Sequence, residues 1–174
     1  MSISPGSPRF ERIRSSIQCA DDGFRVTLTV CPPRIVRVEL DDEGVETGPG
    51  YVGERSWPPS PFEIVEGETS RLTTADLQVE ISTAPLRLAF LDPTGQWLLR
   101  QPEHGGGMSS DPRVGDPVRR RVRVAFEFSG EQHFYGLGQG GPGFDRLGAT
   151  RQLWNTHLGH GPGSDMGVPL LVSN

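Results

Sequence analysis

Apolar and polar residues alternate with period two over much of this chain. Phe24, Val26, Leu28 and Val30 are interleaved with Arg25, Thr27 and Thr29, the pattern of a strand buried on one face. Residues 34–41 repeat it, with Val36, Val38 and Leu40 opposite Arg37 and Glu39. Residues 118–128 form a third clear case, in which Val122, Val124, Phe126 and Phe128 alternate with Arg121, Arg123 and Glu127. Residues 10–20 are expected to pair with 24–31, because Asp22-Gly23 is a favoured two-residue hairpin turn. That turn sets Ile17 opposite Leu28 and Cys19 opposite Val26. Residues 76–83 and 85–91 read as a second hairpin pair, and Asp92-Pro93-Thr94-Gly95 as a turn into a strand over 96–100. A short strand is expected at 62–66, with loops over 44–61 and 101–117. No stretch sustains a helical period and no repeat of fixed length occurs. The sum is an all-β fold, an antiparallel β-sandwich with two packed sheets and apolar inner faces.

Composition agrees with many short strands and turns. Of 174 residues, 23 are glycine and 16 proline, and only 34% are hydrophobic. A compact chain of this size buries about 70% of its unfolded surface, so a real core is possible. The net charge of −5 carries no basic excess, so neither nucleic acid nor a membrane surface is expected as a partner. All 17 basic residues are arginine, which reads as codon bias. No segment approaches the roughly 18 apolar residues of a membrane span. Met1-Ser2-Ile3-Ser4-Pro5-Gly6 has no secretion-signal character, so a cytoplasmic location is the expectation. The two cysteines do not suit a disulfide. In the expected hairpin Cys31 lies about 17 Å along the ladder from Cys19 and faces the other way.

Several patterns could carry chemistry. Gly136-Leu137-Gly138-Gln139-Gly140-Gly141 matches G-x-G-x-x-G after a strand, but Pro142-Gly143 follows where a dinucleotide site needs a helix to open. A glycine-rich turn with close backbone approach is the expectation, and no cofactor is expected. The arginines at 119, 120, 121 and 123 read as a solvated strand face. His157 and His160, with Asp165, could be metal ligands, but loop placement gives no fixed geometry, so no metal is expected either. Asp145 beside Arg146 suggests a structural ion pair. No nucleophile elbow occurs, and no acidic pair stands in a recognisable acid/base context, so no catalytic residue is assigned.

The final forty residues present Phe134-Tyr135-Gly136-Leu137-Gly138, Asp145-Arg146-Leu147-Gly148, Leu153-Trp154-Asn155-Thr156-His157 and Val168-Pro169-Leu170-Leu171-Val172-Ser173-Asn174, in that order. These blocks resemble the N-terminal domain of glycoside hydrolase family 31, the α-glucosidases, α-xylosidases and relatives. Upstream, Pro33–Val38 and Ala84–Phe90 also fit that family's strands. The resemblance implies a galactose-mutarotase-like β-sandwich, a flexible start over 1–9 and one sandwich domain over 10–174. It further implies a (β/α)8 catalytic barrel following a chain that stops within an apolar run. The barrel would supply the catalytic aspartates. The sandwich would lend it a loop, about Arg151–Val168, so that an α-glycoside is held in a shared pocket. Trp154, Asn155, His157 and His160 are the substrate-binding candidates the resemblance implies. His157 stands where the family often has an aspartate, and a neutral imidazole donates one hydrogen bond and accepts one where a carboxylate only accepts. Gln139 replaces a usual glutamate.

Two rival functions are compatible with the same residues. A stand-alone carbohydrate-binding module would stack sugar rings on Trp154 and Trp57. An aldose epimerase-like protein would need an acid and a base across the sugar, for which His157 and Asp165 are the nearby candidates. If the barrel is absent, an apolar surface is expected to lie exposed where it docked.

Overall fold

The structure, a computed structural model, describes residues 11–13, 16–21, 24–41, 57–83, 85–104, 108–113, 116–128, 130–138, 143–150, 152–155, 163–164, 168 and 170–174. Among these there is no helix, and the strands pair almost throughout as antiparallel ladders. The chain divides into two compact units, Met1–Glu127 and Phe128–Asn174.

The first unit is a sandwich. One sheet has the order β1 (Glu11–Ile13), β2 (Ser16–Asp21), β3 (Phe24–Val30), β4 (Val36–Asp41). The other has β5 (Glu63–Val65), β6 (Thr69–Thr73), β7 (Gln78–Thr83), β8 (Leu86–Leu91) and β9 (Trp97–Arg100). The expected hairpin register is observed, with Ile17 opposite Leu28 and Cys19 opposite Val26. Side chains from both sheets form one core: Ile17, Val26, Leu28 and Val30 from the first, Leu72, Val79, Ile81, Leu86 and Leu88 from the second. Burying one such side chain stabilises the fold by about 1.5–3 kcal/mol. Both cysteines are free thiols and both are buried.

Four expectations along the chain need correction. Residues 10–20 are not one strand: Ile13 pairs with Ser16, so the chain reverses there and β1 folds back on β2. Arg14-Ser15 offers only serine, a weaker turn former than glycine, proline or asparagine, so alternation alone could not show the reversal. β6 was not anticipated, because Thr-Ser-Arg-Leu-Thr offers a single apolar side chain. Its other inward position is Ser70, fully buried, whose hydroxyl accepts the Gly67 N–H at 3.2 Å. The stretch expected as a loop over 101–117 contains β10 (Met108–Arg113), antiparallel to β11 (Asp116–Val124). Its residues are polar after the buried Met108, so its pairing is supplied by its partner and not by its own pattern. Finally, β11 ends at Val124, and Val122, Val124, Phe126 and Phe128 are each about half exposed. Their alternation is real, but it does not face the core.

The second unit has two short pairs: β12 (Phe134–Gly136) antiparallel to β15 (Leu171–Ser173), and β13 (Gln152–Asn155) parallel to β14 (Gly163–Ser164).

Candidate functional site

The blocks near the C-terminus become a compact piece of backbone geometry in the second unit. Gly136, Leu137 and Gly138 have φ values of +110°, +62° and +83°. Three consecutive left-handed residues form a tight turn that a strand of ordinary residues could not make. At Gly136 a second constraint applies. A Cβ there would lie 2.3 Å from the carbonyl oxygen of Leu170. That carbonyl accepts the Leu137 N–H at 2.8 Å, so the glycine lets the two chains close at the end of the β12–β15 pair. The expected glycine-rich turn with close backbone approach is therefore what forms. Gln139, Gly140 and Gly141 lie outside the described residues.

Arg146 stitches this turn. Its backbone N–H donates to the Phe134 carbonyl at 2.6 Å, and its guanidinium donates to the carbonyls of Gly136 (3.2 Å), Gly143 (2.9 Å) and Gly138 (3.5 Å). The guanidinium thus supplies donors to three backbone carbonyls in and beside the turn. Asp145 was expected to pair with Arg146. It pairs instead with His133, whose Nδ1 lies 2.5 Å from Asp145 Oδ2. The Phe134 and Leu147 N–H groups donate to Asp145 Oδ1 at 3.1 and 3.0 Å. The hydrogen bond from His133, then those two backbone donors, hold the Asp145 carboxyl down at about 2, against an ordinary value of 3.8. His133 was missed in the sequence because it lies outside the motif blocks and twelve residues before its partner. Its own N–H donates to Asn174 Oδ1 at 2.7 Å, tying the start of this unit to its end.

The loop expected to carry the site is anchored at both ends. Gln152 lies opposite Gly163 and Asn155 opposite Ser164, so the chain leaves β13 and returns beside it. Trp154 and Asn155 occupy the last two positions of β13. His157 and His160 lie between β13 and β14, outside the described residues, as does Asp165. The structure therefore brings together the ends of the loop, at Asn155 and Ser164, but does not test the four side chains as a group. Among the described residues, no set of three or more His, Cys, Asp or Glu is grouped to hold a metal ion. No described helix is long and apolar enough to cross a membrane.

Comparison with known proteins supplies the context. The family model described as the glycosyl hydrolase 31 N-terminal galactose mutarotase-like domain matches residues 25–174. No curated protein matches the sequence. Among solved structures, the chain is similar to a family 31 dextranase of Flavobacterium johnsoniae complexed with glucose, at 16% identity and a TM-score of 0.77. That match covers 96% of this chain and 21% of the dextranase. It is also similar to a family 31 α-xylosidase of Xanthomonas citri, at 24% identity and a TM-score of 0.70, covering 93% of this chain and 18% of that one. A family 31 α-xylosidase from a soil metagenome, complexed with xylose, is similar at 17% identity and a TM-score of 0.68, with 95% and 26% covered. At these identities the likeness is one of fold, and the chain spans about a quarter or less of each enzyme's length.

Proposed function

The chain belongs to the family of glycosyl hydrolase 31 N-terminal galactose mutarotase-like domains, and from that premise we propose that it is the non-catalytic front domain of an α-glycosidase in carbohydrate metabolism. In this reading the sandwich packs on a (β/α)8 catalytic domain and lends it the loop at about 151–168. Trp154, Asn155, His157 and His160 then line one wall of the sugar pocket, and the barrel supplies the acid and base. The observation that carries the proposal is the β13–β14 pair. It brings Gly163 and Ser164 back beside Gln152 and Asn155, so both ends of the segment 156–162 are tethered, which suits presentation of that segment to a neighbour. A tethered loop loses less entropy on ordering at an interface than a free one.

A neutral imidazole at 157 both donates and accepts, so it would recognise a sugar hydroxyl differently from the family's carboxylate. Two measurements test the proposal. An immunoblot of source cells with an antibody to this chain should show a band several times heavier than 19.0 kDa. The repurified chain should not hydrolyse aryl α-glycosides. Sustained turnover by the chain, or a single native band at its own mass, overturns the proposal.

A further inference from the structure

The second unit carries a ribbon of two strands that meets water with apolar side chains on both faces. Val172 stands opposite Tyr135, and the Tyr135 ring lies 5.6 Å from that of Phe144, so these three share one side. Leu171 and Phe134 alternate to the other side, where the Phe134 ring lies 5.8 Å from that of Phe128. Phe144 is 84% exposed, and Phe128, Leu171 and Val172 are each about half exposed. An antiparallel sheet ordinarily packs one face and gives polar side chains to the other. This ribbon has no polar face to give, and among the described residues β12 and β15 pair only with each other. Two strands of three residues bury too little to hold themselves in place.

What suits this ribbon as a partner follows from charge and area. Phe134-Tyr135-Gly136 and Leu171-Val172-Ser173 contain no charged residue. The charged groups described beside them are already engaged. Asp145 accepts from His133, Phe134 and Leu147, and Arg146 donates to three backbone carbonyls. A charged surface laid on the ribbon would lose water without finding a counter-charge, whereas an apolar one gains from burial. With about 200 Å² for a fully exposed aromatic side chain and less for Leu and Val, the unit presents about 600 Å² in Phe128, Phe144, Leu147, Leu170, Leu171 and Val172. A second copy laid on one face covers only part of this, well short of the roughly 800 Å² per partner that a stable complex of separate molecules buries. Domains of one polypeptide are held by interfaces of about 600–1,500 Å² in total, because the tether supplies a high effective concentration.

From these observations we infer that both faces of the β12–β15 ribbon are docking surfaces, covered by uncharged, apolar surface of the same polypeptide in the longer protein proposed above. The inference rests on that proposal and adds to it the place of contact. The matched region makes up 21% of the similar dextranase and 18% of the Xanthomonas α-xylosidase, so most of each of those polypeptides lies outside it. Phe144 is the anchor on one face, since a projecting aromatic side chain carries more of a contact than its neighbours do. Leu171 marks the other face. The glycine turn and the Arg146 bonds set the ribbon's direction beforehand, so little ordering entropy is lost when it is covered.

The test compares hydroxyl-radical labelling, read by mass spectrometry, of the full 174-residue chain and of the native protein captured from source cells. Each signal is normalised to the same peptide labelled in urea. In the chain, Phe144 and Leu171 should label as exposed side chains do. In a native protein heavier than 19.0 kDa, both should lose labelling down to the level of the buried Leu28 and Ile81. Undiminished labelling of either residue in that heavier protein overturns the inference and leaves the proposed function standing. Low labelling of either residue already in the chain also overturns it, and recovery of that labelling on dilution would make the occupant a second copy. A native protein of 19.0 kDa overturns the underlying proposal, and the inference with it, before any labelling is done.

Discussion

Gly136→Ala is the substitution on which the geometry of the second unit bears most directly. Its φ of +110° lies beyond the left-handed region that L residues enter with modest strain. The added methyl would sit 2.3 Å from the Leu170 carbonyl oxygen, which is backbone and cannot swing away. Relief requires the strands to part, which breaks the 2.8 Å bond from the Leu137 N–H to that carbonyl. Backbone strain of about 1–3 kcal/mol and a lost hydrogen bond of about 1 kcal/mol, with some further loss of pairing, give about 3–5 kcal/mol. Gly148→Ala is the matched control. It also has positive φ, +70°, but nothing lies within 4 Å of its Cβ position, so strain alone applies, about 1 kcal/mol. Urea unfolding followed at the backbone amides of residues 134–137 and 171–173 reads the region concerned. With a slope of about 2 kcal/mol per molar urea, the midpoint should fall by about 2 M for Gly136→Ala and by about 0.5 M for Gly148→Ala. Equal losses at the two positions would refute the close-approach argument and leave only conformational strain.

Asp145 sets a pH dependence. Its folded value is lowered to about 2 from 3.8, so its contribution is fully present above about pH 4 and is lost as the pH falls through about 2. A carbon-detected titration should place the Asp145 midpoint near 2, and Asp145→Asn should flatten the acid limb of stability between those values. Arg146→Met removes the guanidinium from the carbonyls of Gly136, Gly138 and Gly143 and should cost about 1–3 kcal/mol by urea unfolding, with Arg146→Lys restoring only part. Phe126→Ser with Val124→Ser, both at exposed positions, should change stability by less than about 1 kcal/mol while reducing self-association in sedimentation velocity. Leu28→Ala, by contrast, empties a fully buried core position and should cost about 2–5 kcal/mol in the same unfolding assay.

The sandwich was legible wherever apolar alternation and a strong turn residue coincided. Asp22-Gly23 set the β2–β3 register correctly to the residue, and Ile17, Cys19, Val26 and Leu28 all face inward as their parity required. The Asp92 turn forms through the Asp92 carboxylate, which accepts the Thr94 and Gln96 N–H groups at 2.8 and 2.9 Å. What could not be read was pairing imposed from outside a segment. β6 and β10 have too few apolar residues to announce themselves, and their neighbours recruit them into sheets. Alternation at Val122, Val124, Phe126 and Phe128 gave the strand but not the face, because period two says only that two faces differ. At the candidate site, composition identified the glycine turn but assigned Asp145 to the wrong partner. Adjacent residues in a turn point apart, and the histidine that receives Asp145 is distant in sequence.

The two units rest on different physics, and this bears on the proposed function. Every hydrophobic side chain fully or nearly buried among the described residues falls between Ile17 and Met108. The second unit's described side chains are exposed or half-buried, and its strands are two to four residues long. Two-stranded pairs of that length are marginal on their own in water. What orders the β12–β15 pair here is the left-handed glycine turn, the Arg146 guanidinium on its carbonyls, the Asp145–His133 pair and the Asn174 contact. Such interactions fix direction more than they supply free energy. A unit of this kind suits a segment whose remaining stability comes from a neighbour: the backbone geometry is set in advance, and the burial is left for the surface against which the loop is proposed to lie.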